Sequence, residues 1–141
     1  MIVRPFVPDD IEQLVLQPAQ AYLRPMVSGR GYGEALAQGE AWTGVDGGRV
    51  VACGGVCPLY GFMGNAWAMI SADLKHHFVI VHRIAQRVLD AYPAQRIEAH
   101  IDVDFLNGHR WAEALGFALE APRMRKFTPD GRDVALYARV R

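Results

Sequence analysis

The chain has 141 residues, of which 51% are hydrophobic and 21% are charged, and its 15 basic and 15 acidic residues give a formal net charge of zero. This composition is typical of one globular domain and excludes a disordered, charge-rich chain. It also disfavours nucleic acid as a partner, since proteins that bind nucleic acid through phosphates are usually clearly basic.

The first third of the chain is predicted to contain a strand followed by short helices. The strand covers Ile2–Phe6. Asp9 or Asp10 then caps a first helix, which Pro18 ends. The remaining elements of this third are a second helix over Ala19–Met26, a glycine-containing connection over Ser28–Gly33 and a helical turn over Glu34–Gln38.

The middle of the chain reads as three strands and a long helix. The sequence Asp46-Gly47-Gly48 suits a hairpin turn that needs positive φ. The helix has apolar residues at positions 74, 78, 81, 85, 88 and 92, and these spacings of three and four define one face. The predicted elements are strands at Trp42–Val45, Val50–Val56 and Asn65–Ile70, a turn at Pro58–Gly64 and the helix at Asp73–Tyr92, which Pro93 ends.

The last third begins with a strand of alternating apolar and polar residues from Ile97 to Val103, which predicts a half-buried strand. Asn107–Leu115 forms a short helix, and Gly116 stands where a left-handed residue ends it. Two further strands flank the turn at Pro129–Gly131. The order β-α-α-β-β-β-α-β-α-β-β predicts an α/β (α+β) domain in which a mixed sheet carries helices on both faces.

Two features bear on the compartment. Cys53 and Cys57 lie four apart on one predicted strand, too far for a relaxed disulfide, so we expect reduced thiols. No apolar run approaches the roughly 20 residues that cross a bilayer, and no secretory signal is recognised. We therefore expect an intracellular protein that is not secreted and has no membrane partner.

Three segments carry a resemblance to a known family. They are the opening Ile2–Pro5 followed by Asp9 or Asp10, the helix end Leu115–Phe117, and the closing strand Asp133–Arg139. With the element order, they resemble the GNAT (GCN5-related N-acetyltransferase) superfamily. The resemblance implies a single GNAT-like domain over residues 1–141 with a mostly antiparallel central sheet. Within the superfamily, the strand Ala66–Ser71 is most similar to small tailed-phage and prophage proteins of the internal virion protein A type.

The resemblance implies acetyl-CoA as the cofactor to consider. The family holds its pyrophosphate on a glycine-rich loop at the start of the long helix, where unpaired N–H groups attract phosphate. Here Ser71–His77 contains no glycine, and the Asp73 carboxylate could cap those N–H groups and repel a phosphate. Both a remodelled phosphate site and a solvated helix start stay open. The candidate cofactor-binding residues are Met69, Ile70 and Ser71, through main-chain atoms, and Asp73, Lys75, His76 and His77.

Acetyl transfer also needs an acid and a base. The resemblance implies a tyrosine acid four residues before Gly116, but that position is Ala112, which cannot donate a proton. Glu98 and His100 lie on one side of their strand and are the candidate bases, since a histidine with a pKa of about 6.5 can accept a proton at neutral pH. A merely polar strand face is the alternative. The histidines and cysteines show no metal-ligand spacing, so no metal is expected.

Two hypotheses follow. The favoured one is a phage- or prophage-encoded protein with a degenerate acetyl-CoA site and little or no catalysis, partnered by virion or assembly proteins in the host cytoplasm or the phage particle. The alternative is an N-acetyltransferase in which a small amine or peptide attacks the thioester directly. The missing glycines and acid favour the first hypothesis, while the GNAT-like element order keeps the second open.

Overall fold

The computed structural model describes residues 1–28 and 31–141. Two 3-10 segments, Pro18–Leu23 and Lys75–His77, accompany the helices and strands. The helices are α1 (Asp10–Gln13), α2 (Arg24–Val27), α3 (Tyr32–Leu36), α4 (Phe78–Ala91) and α5 (Leu106–Ala114). The strands are β1 (Ile2–Pro5), β2 (Glu40–Asp46), β3 (Arg49–Tyr60), β4 (Met63–Ile70), β5 (Arg96–Asp102), β6 (Ala118–Met124) and β7 (Val134–Val140).

The strands follow one another in the order β1-β2-β3-β4-β5-β7-β6. β4 and β5 pair in parallel over Met63–Ala66 and Arg96–Ala99. The pairs β1–β2, β2–β3, β5–β7 and β6–β7 are antiparallel. A mixed, mostly antiparallel sheet with helices confirms the predicted fold class.

The chain divides into two compact units that interleave in sequence. The first unit comprises Met1–Pro58 and Trp67–Tyr92, and the second comprises Leu59–Ala66 and Pro93–Arg141. The prediction of a single domain over residues 1–141 stays a prediction.

The core of the first unit is an apolar cluster to which short helices and several strands, including β4, contribute. Cys53 lies in this cluster with no exposed surface, while Cys57 packs against it, and both are free thiols. α4 buries Val81 of its predicted apolar face, but it also buries Leu89, which lies outside the predicted set, and Phe78 of that set is 41% exposed. The cluster consists of Phe6, Ile11, Leu14, Val27, Leu36, Val50, Cys53 and Met69.

The predicted tight turns are confirmed by their backbone angles. Gly47 and Gly48 have φ values of 56° and 78°, and Gly116 has a φ of 91°. A residue with a side chain is strained in this left-handed region, whereas glycine adopts it freely. The glycines therefore fix the β2–β3 hairpin and the end of α5.

The prediction of one continuous second helix over Ala19–Met26 is wrong. A 3-10 segment, Pro18–Leu23, precedes the single α-helical turn of α2. Pro25 has no N–H to donate to the carbonyl of Ala21, so one continuous α-helix cannot run through this segment. The predicted connection Ser28–Gly33 includes Gly29 and Arg30, which lie outside the described residues, and α3 already begins at Tyr32.

Two other boundaries differ from prediction. The predicted turn at Pro58–Gly64 is shorter, because β3 continues to Tyr60 and β4 begins at Met63. α4 begins at Phe78 rather than at Asp73. Lys75 has a φ of 49°, and a left-handed residue at this point interrupts a continuous α-helix from Asp73. Within the described part of the chain, no helix is long and apolar enough to cross a membrane.

Candidate functional site

The predicted site residues are distributed over both units. Met69, Ile70 and Ser71 at the end of β4, and Asp73, Lys75, His76 and His77 before α4, belong to the first unit. Glu98 and His100 on β5 belong to the second unit.

The end of β4 is buried and bonded to the rest of the first unit. Met69, Ile70 and Ser71 are only 3%, 7% and 4% exposed. The Ser71 N–H donates to the Val51 carbonyl at 2.8 Å, and the Ala72 N–H donates to the Val15 carbonyl at 3.1 Å. The main-chain groups that were predicted to contact an acetyl group therefore lie inside the packed unit.

Gln20 occupies one edge of this strand end. Its side-chain NH₂ donates to the Ala68 carbonyl at 2.9 Å, and its Oε1 accepts the Ile70 N–H at 2.9 Å. Alternate residues of a strand present their polar groups to the same edge, so Ala68 and Ile70 share one edge. The backbone N–H of Gln17 donates to the Ile70 carbonyl at 2.9 Å. Three consecutive polar groups of the edge thus have partners from the Gln17–Gln20 turn.

The Gln17 side chain supports this arrangement. Its Nε2 donates to the Oε1 of Gln20 at 3.1 Å, and the Gln20 N–H donates to the Gln17 carbonyl at 2.9 Å. Gln20 is only 8% exposed. A buried carboxamide needs such partners, since an unsatisfied buried polar group costs about 1–3 kcal/mol.

Polar side chains just before α4 pair with side chains of the β2–β3 hairpin. Arg49 forms an ion pair with Asp73, and Asp46 Oδ2 lies 3.0 Å from Nε2 of His77. Neither α4 nor the 3-10 segment before it has a side-chain cap. The prediction that Asp73 caps the helix is therefore wrong, because Arg49 binds its carboxylate.

The first turn of α4 is apolar and exposed. Phe78, Val79 and Ile80 are 41%, 57% and 40% exposed. Lys75 and His76 before it are exposed as well. This turn contains no glycine, the residue that allows a phosphate its closest approach to helix N–H groups.

In the second unit, Arg96 holds Glu98. Arg96 Nε donates to Glu98 Oε2 at 2.8 Å, and its Nη1 and Nη2 donate to the two oxygens of Glu120 at 3.0 and 2.7 Å. The carboxylates of Glu120 and Glu98 raise the pKa of Arg96. Because Glu98 Oε2 already accepts this hydrogen bond from Arg96, it is less available to a substrate, and Glu98 is the poorer of the two candidate bases.

His100 is the better candidate base. It is half-buried and stacks on Phe127 with ring centroids 4.8 Å apart. Burial lowers the pKa of His100, although the charge of Glu98 partly opposes this. Its imidazole is therefore mainly neutral at pH 7 and can accept a proton.

The polar residues that follow His100 in the alternation of β5 are not all exposed to solvent. Asp102 is only 4% exposed, and its Oδ2 accepts a 2.5 Å hydrogen bond from Nε of Arg132. Its Oδ1 accepts the Asp104 N–H at 2.9 Å. Asp102 therefore anchors the segments that follow β5 and precede β7.

Ala112, which occupies the position where the resemblance implies an acid, is buried in α5. One turn earlier, His109 lies between Tyr137 and a main-chain carbonyl, which sequence reasoning missed. Its Nε2 lies 3.1 Å from the Val103 carbonyl, and its Nδ1 lies 2.8 Å from the Tyr137 hydroxyl. A carbonyl oxygen only accepts, so Nε2–H donates to it, and in the neutral imidazole Nδ1 then accepts a hydrogen bond from the Tyr137 hydroxyl. Burial raises the pKa of Tyr137, which is 3% exposed and serves packing.

Among residues 1–28 and 31–141, no group of three or more histidine, cysteine, aspartate or glutamate side chains could hold a metal ion.

Solved structures resemble this chain over nearly its whole length. An IAA acetyltransferase from Bacillus cereus ATCC 14579 superimposes with a TM-score of 0.73 at 12% identity and covers 99% of both chains. Ard1 from Thermoplasma volcanium gives a TM-score of 0.70 at 15% identity, with 99% and 96% covered. This chain has the GNAT fold. No protein-family model and no curated protein sequence matches it.

One further GNAT structure bears on the cofactor. A GNAT family acetyltransferase from Elizabethkingia anophelis, solved with acetyl-CoA bound, gives a TM-score of 0.68 at 11% identity and covers 99% of this chain and 97% of its own. Structural similarity at identities this low shows the fold alone, because function depends on the residues of the individual site.

Sequence reasoning missed Gln20 and Arg49 at the candidate site. Gln20 bonds to residues 48 and 50 positions away, and Arg49 pairs with a residue 24 positions away. No local pattern marks such contacts. Only the three-dimensional arrangement reveals them.

Proposed function

We propose that this chain is a phage- or prophage-encoded protein that uses the GNAT fold as a scaffold in the virion or its assembly, with little or no acetyl transfer. One observation carries the proposal: groups predicted to hold acetyl-CoA are already paired within the first unit. The Gln20 side chain accepts a hydrogen bond from the Ile70 N–H. Arg49 forms an ion pair with Asp73, and the Asp46 carboxylate contacts the His77 ring.

The residues at this position do not fit acetyl-CoA as they stand. A pyrophosphate needs unpaired helix N–H groups that it can approach closely. The first turn of α4 instead carries Phe78, Val79 and Ile80, and the preceding loop has no glycine. The missing acid at Ala112 removes a second requirement of the reaction.

The phage assignment rests on the resemblance of Ala66–Ser71, and of the glycine-free loop after it, to small tailed-phage proteins. Such a protein would act in the host cytoplasm or inside the particle, with virion or assembly proteins as partners. A formal net charge of zero makes nucleic acid an unfavoured partner.

The cofactor part of the proposal is tested by calorimetry. We expect no heat when the purified protein is titrated with acetyl-CoA or CoA up to millimolar concentration. A micromolar affinity, about −8 kcal/mol, would contradict the closed site. A GNAT enzyme that binds acetyl-CoA serves as the positive control.

The assembly part is tested on particles. The host strain that carries the gene is induced, and particles are purified on a density gradient and probed with an antibody against the chain. We expect the protein in mature particles or in assembly intermediates. Absence from both fractions, with abundant protein in the lysate, would contradict the assembly role.

A second candidate function is N-acetyl transfer with a small amine or peptide as acceptor, and His100 is the observation that favours it. Its neutral, half-buried imidazole could accept a proton from an ammonium group. If wild-type protein acetylates any member of an amine panel, His100→Ala should reduce kcat by at least about 100-fold. The exposed Gln13→Ala variant is the control, and equal activity of all three proteins would remove His100 as the base.

A further inference from the structure

An exposed aromatic pair forms the tip of the hairpin that joins β3 to β4. Tyr60 and Phe62 are 67% and 62% exposed, and their rings stack on each other with centroids 6.0 Å apart and planes 18° apart. Leu59 beside them is 44% exposed. The tip therefore presents a continuous apolar surface, which is unlike a single scattered hydrophobic residue and is typical of a docking site.

The tip lies in a long stretch of the chain without charge. No residue from Val50 to Ala72 is acidic, basic or a histidine. An anionic lipid headgroup, a nucleic acid or a charged protein surface would find no ion-pair partner on this stretch. When a surface meets its own copy, by contrast, each charge near the two-fold axis faces the same charge, so the absence of charge favours a second copy of the chain.

We propose that Leu59, Tyr60 and Phe62, here called the aromatic tip, form a self-association surface that docks on the aromatic tip of a second copy across a two-fold axis. Such a contact uses the same residues on both copies. The stacked rings of one tip pack against those of the other, which removes apolar surface from water. Self-association goes beyond the proposed function and is compatible with both a scaffold and an enzyme.

The edge of the sheet in the same unit opposes association by strand pairing. β6 is the last strand of the sheet order. It carries Pro122, which has no N–H to donate, and the exposed charges of Glu120 and Arg123. Proline and charged side chains on an edge strand disfavour pairing with another chain. In the second unit, the aromatic tip is therefore the better surface for a second copy.

The size of the aromatic tip sets the strength of the contact. Three side chains at these exposures offer roughly 300 Å² per copy, whereas a stable complex buries about 800 Å² per partner. The dimer is therefore weak and reversible, and it forms only at high protein concentration. A formal net charge of zero lets two copies approach at pH 7 without net repulsion.

Sedimentation velocity at pH 7, from micromolar to millimolar protein, measures the self-association. The test variant carries Tyr60→Ser and Phe62→Ser together. Leu106→Ser is the matched control, because Leu106 is 65% exposed and lies on α5 in the same unit. We expect wild type and Leu106→Ser to convert from monomer to dimer over this range, and the double variant to have a dissociation constant at least about tenfold higher.

Two charged variants test the two-fold geometry. Because the aromatic tip is small, residue 62 of one copy lies close to residue 62 of the other. Phe62→Lys and Phe62→Glu should each weaken self-association, since like charges then meet, whereas an equimolar mixture should associate at least about tenfold more tightly than either variant alone. A mixture that associates no better than its components would overturn the two-fold contact. If the double serine variant does not fold, this pair of variants carries the test.

Three other results would overturn the proposal. Wild type that stays monomeric at every concentration would exclude the contact. Dimerisation of the folded double variant with the affinity of wild type would mean that another surface joins the copies. Monomeric wild type that sediments with uncharged phosphatidylcholine vesicles, when the double variant does not, would make lipid the occupant of the aromatic tip. None of these results bears on acetyl-CoA binding, so the proposed function is tested separately.

Discussion

Asp10 is the buried carboxylate that fixes the start of the first unit. It is 1% exposed and accepts hydrogen bonds from two nitrogens of Arg4, from the Val7 N–H and from the Thr43 hydroxyl. Asp10 does not cap a helix as predicted, since α1 begins at Asp10 and Asp9 makes no side-chain cap. Its carboxylate instead ties β1, β2 and α1 together.

The bonds to Asp10 predict how stability depends on pH. Burial would raise the pKa of Asp10, but the hydrogen bonds from Arg4, Val7 and Thr43 together hold it below the usual value. A lowered folded-state pKa contributes stability above the unfolded pKa of about 3.9, and this contribution is lost as pH falls through the folded pKa. Asp10→Asn should therefore lose on the order of 3 kcal/mol at pH 7 and show a flatter acid limb.

Urea unfolding at pH 7 and pH 3 measures both effects of Asp10→Asn. Asp9→Asn, next to it but exposed, is the control and should change the free energy of unfolding by less than about 0.5 kcal/mol. Equal losses for the two variants would contradict the central role of the Asp10 carboxylate.

Lys75 has a left-handed backbone conformation that glycine would adopt more easily. Its φ of 49° lies in the left-handed region, which is unfavourable for a residue with a Cβ. Lys75→Gly should raise the free energy of unfolding by about 0.5–1 kcal/mol, after the extra entropy that glycine gives the unfolded chain is subtracted. Ala72→Gly in the same loop is the control for thermal unfolding and should lower stability. A loss for Lys75→Gly would mean that the lysine side chain stabilises the turn.

At the scale of elements, the β2–β3 pair depends on close contact across two glycines. Gly54 faces Trp42 and Gly55 faces Ala41 in the register of the pair. A Cβ on Gly54 would lie 2.6 Å from the Trp42 ring, and a Cβ on Gly55 would lie 2.2 Å from the Glu40 carbonyl oxygen. The strands approach at this point because neither glycine has a side chain.

Gly55→Ala should therefore destabilise the protein strongly, by about 3 kcal/mol, because a backbone oxygen must move to accept the methyl group. Gly61→Ala is the matched control, since a Cβ there meets nothing within 4 Å. Chemical unfolding of both variants tests the contrast. A Gly55→Ala protein as stable as the control would show that β2 and β3 separate without cost.

The elements that the sequence predicted are those with local signals. Gly47 and Gly48 marked the hairpin, and the spacing of Val81 and Val88 marked α4. Pro58 wrongly indicated a turn, because pairing with a neighbouring strand, rather than local preference, decides where β3 ends. At the candidate site, His100 could be found from the alternation of β5, whereas the partners of Ile70 and Asp73 come from distant segments.

At the scale of the whole molecule, charge balance governs behaviour in solution. The formal net charge is zero and the sequence pI is about 7.0. Molecules without net charge repel one another least, so solubility should be lowest near and above pH 7, where the 15 basic and 15 acidic residues balance, and rise as the pH falls and the histidines gain charge. Precipitation midpoints in polyethylene glycol from pH 5.5 to 9 measure this. A solubility maximum at pH 7 would contradict the prediction.

The two thiols of the first unit are buried to different extents, so the rates at which a thiol reagent labels them report how often the core opens. Burial raises the pKa of Cys53 to about 12, so its reactive thiolate is scarce until the core opens. Cys57 is only partly buried, and small fluctuations expose it. In wild-type protein, a thiol reagent should therefore label one site quickly and the second only at the rate of unfolding. Mass spectrometry of the two labelled peptides then times the opening of the core without any engineered probe.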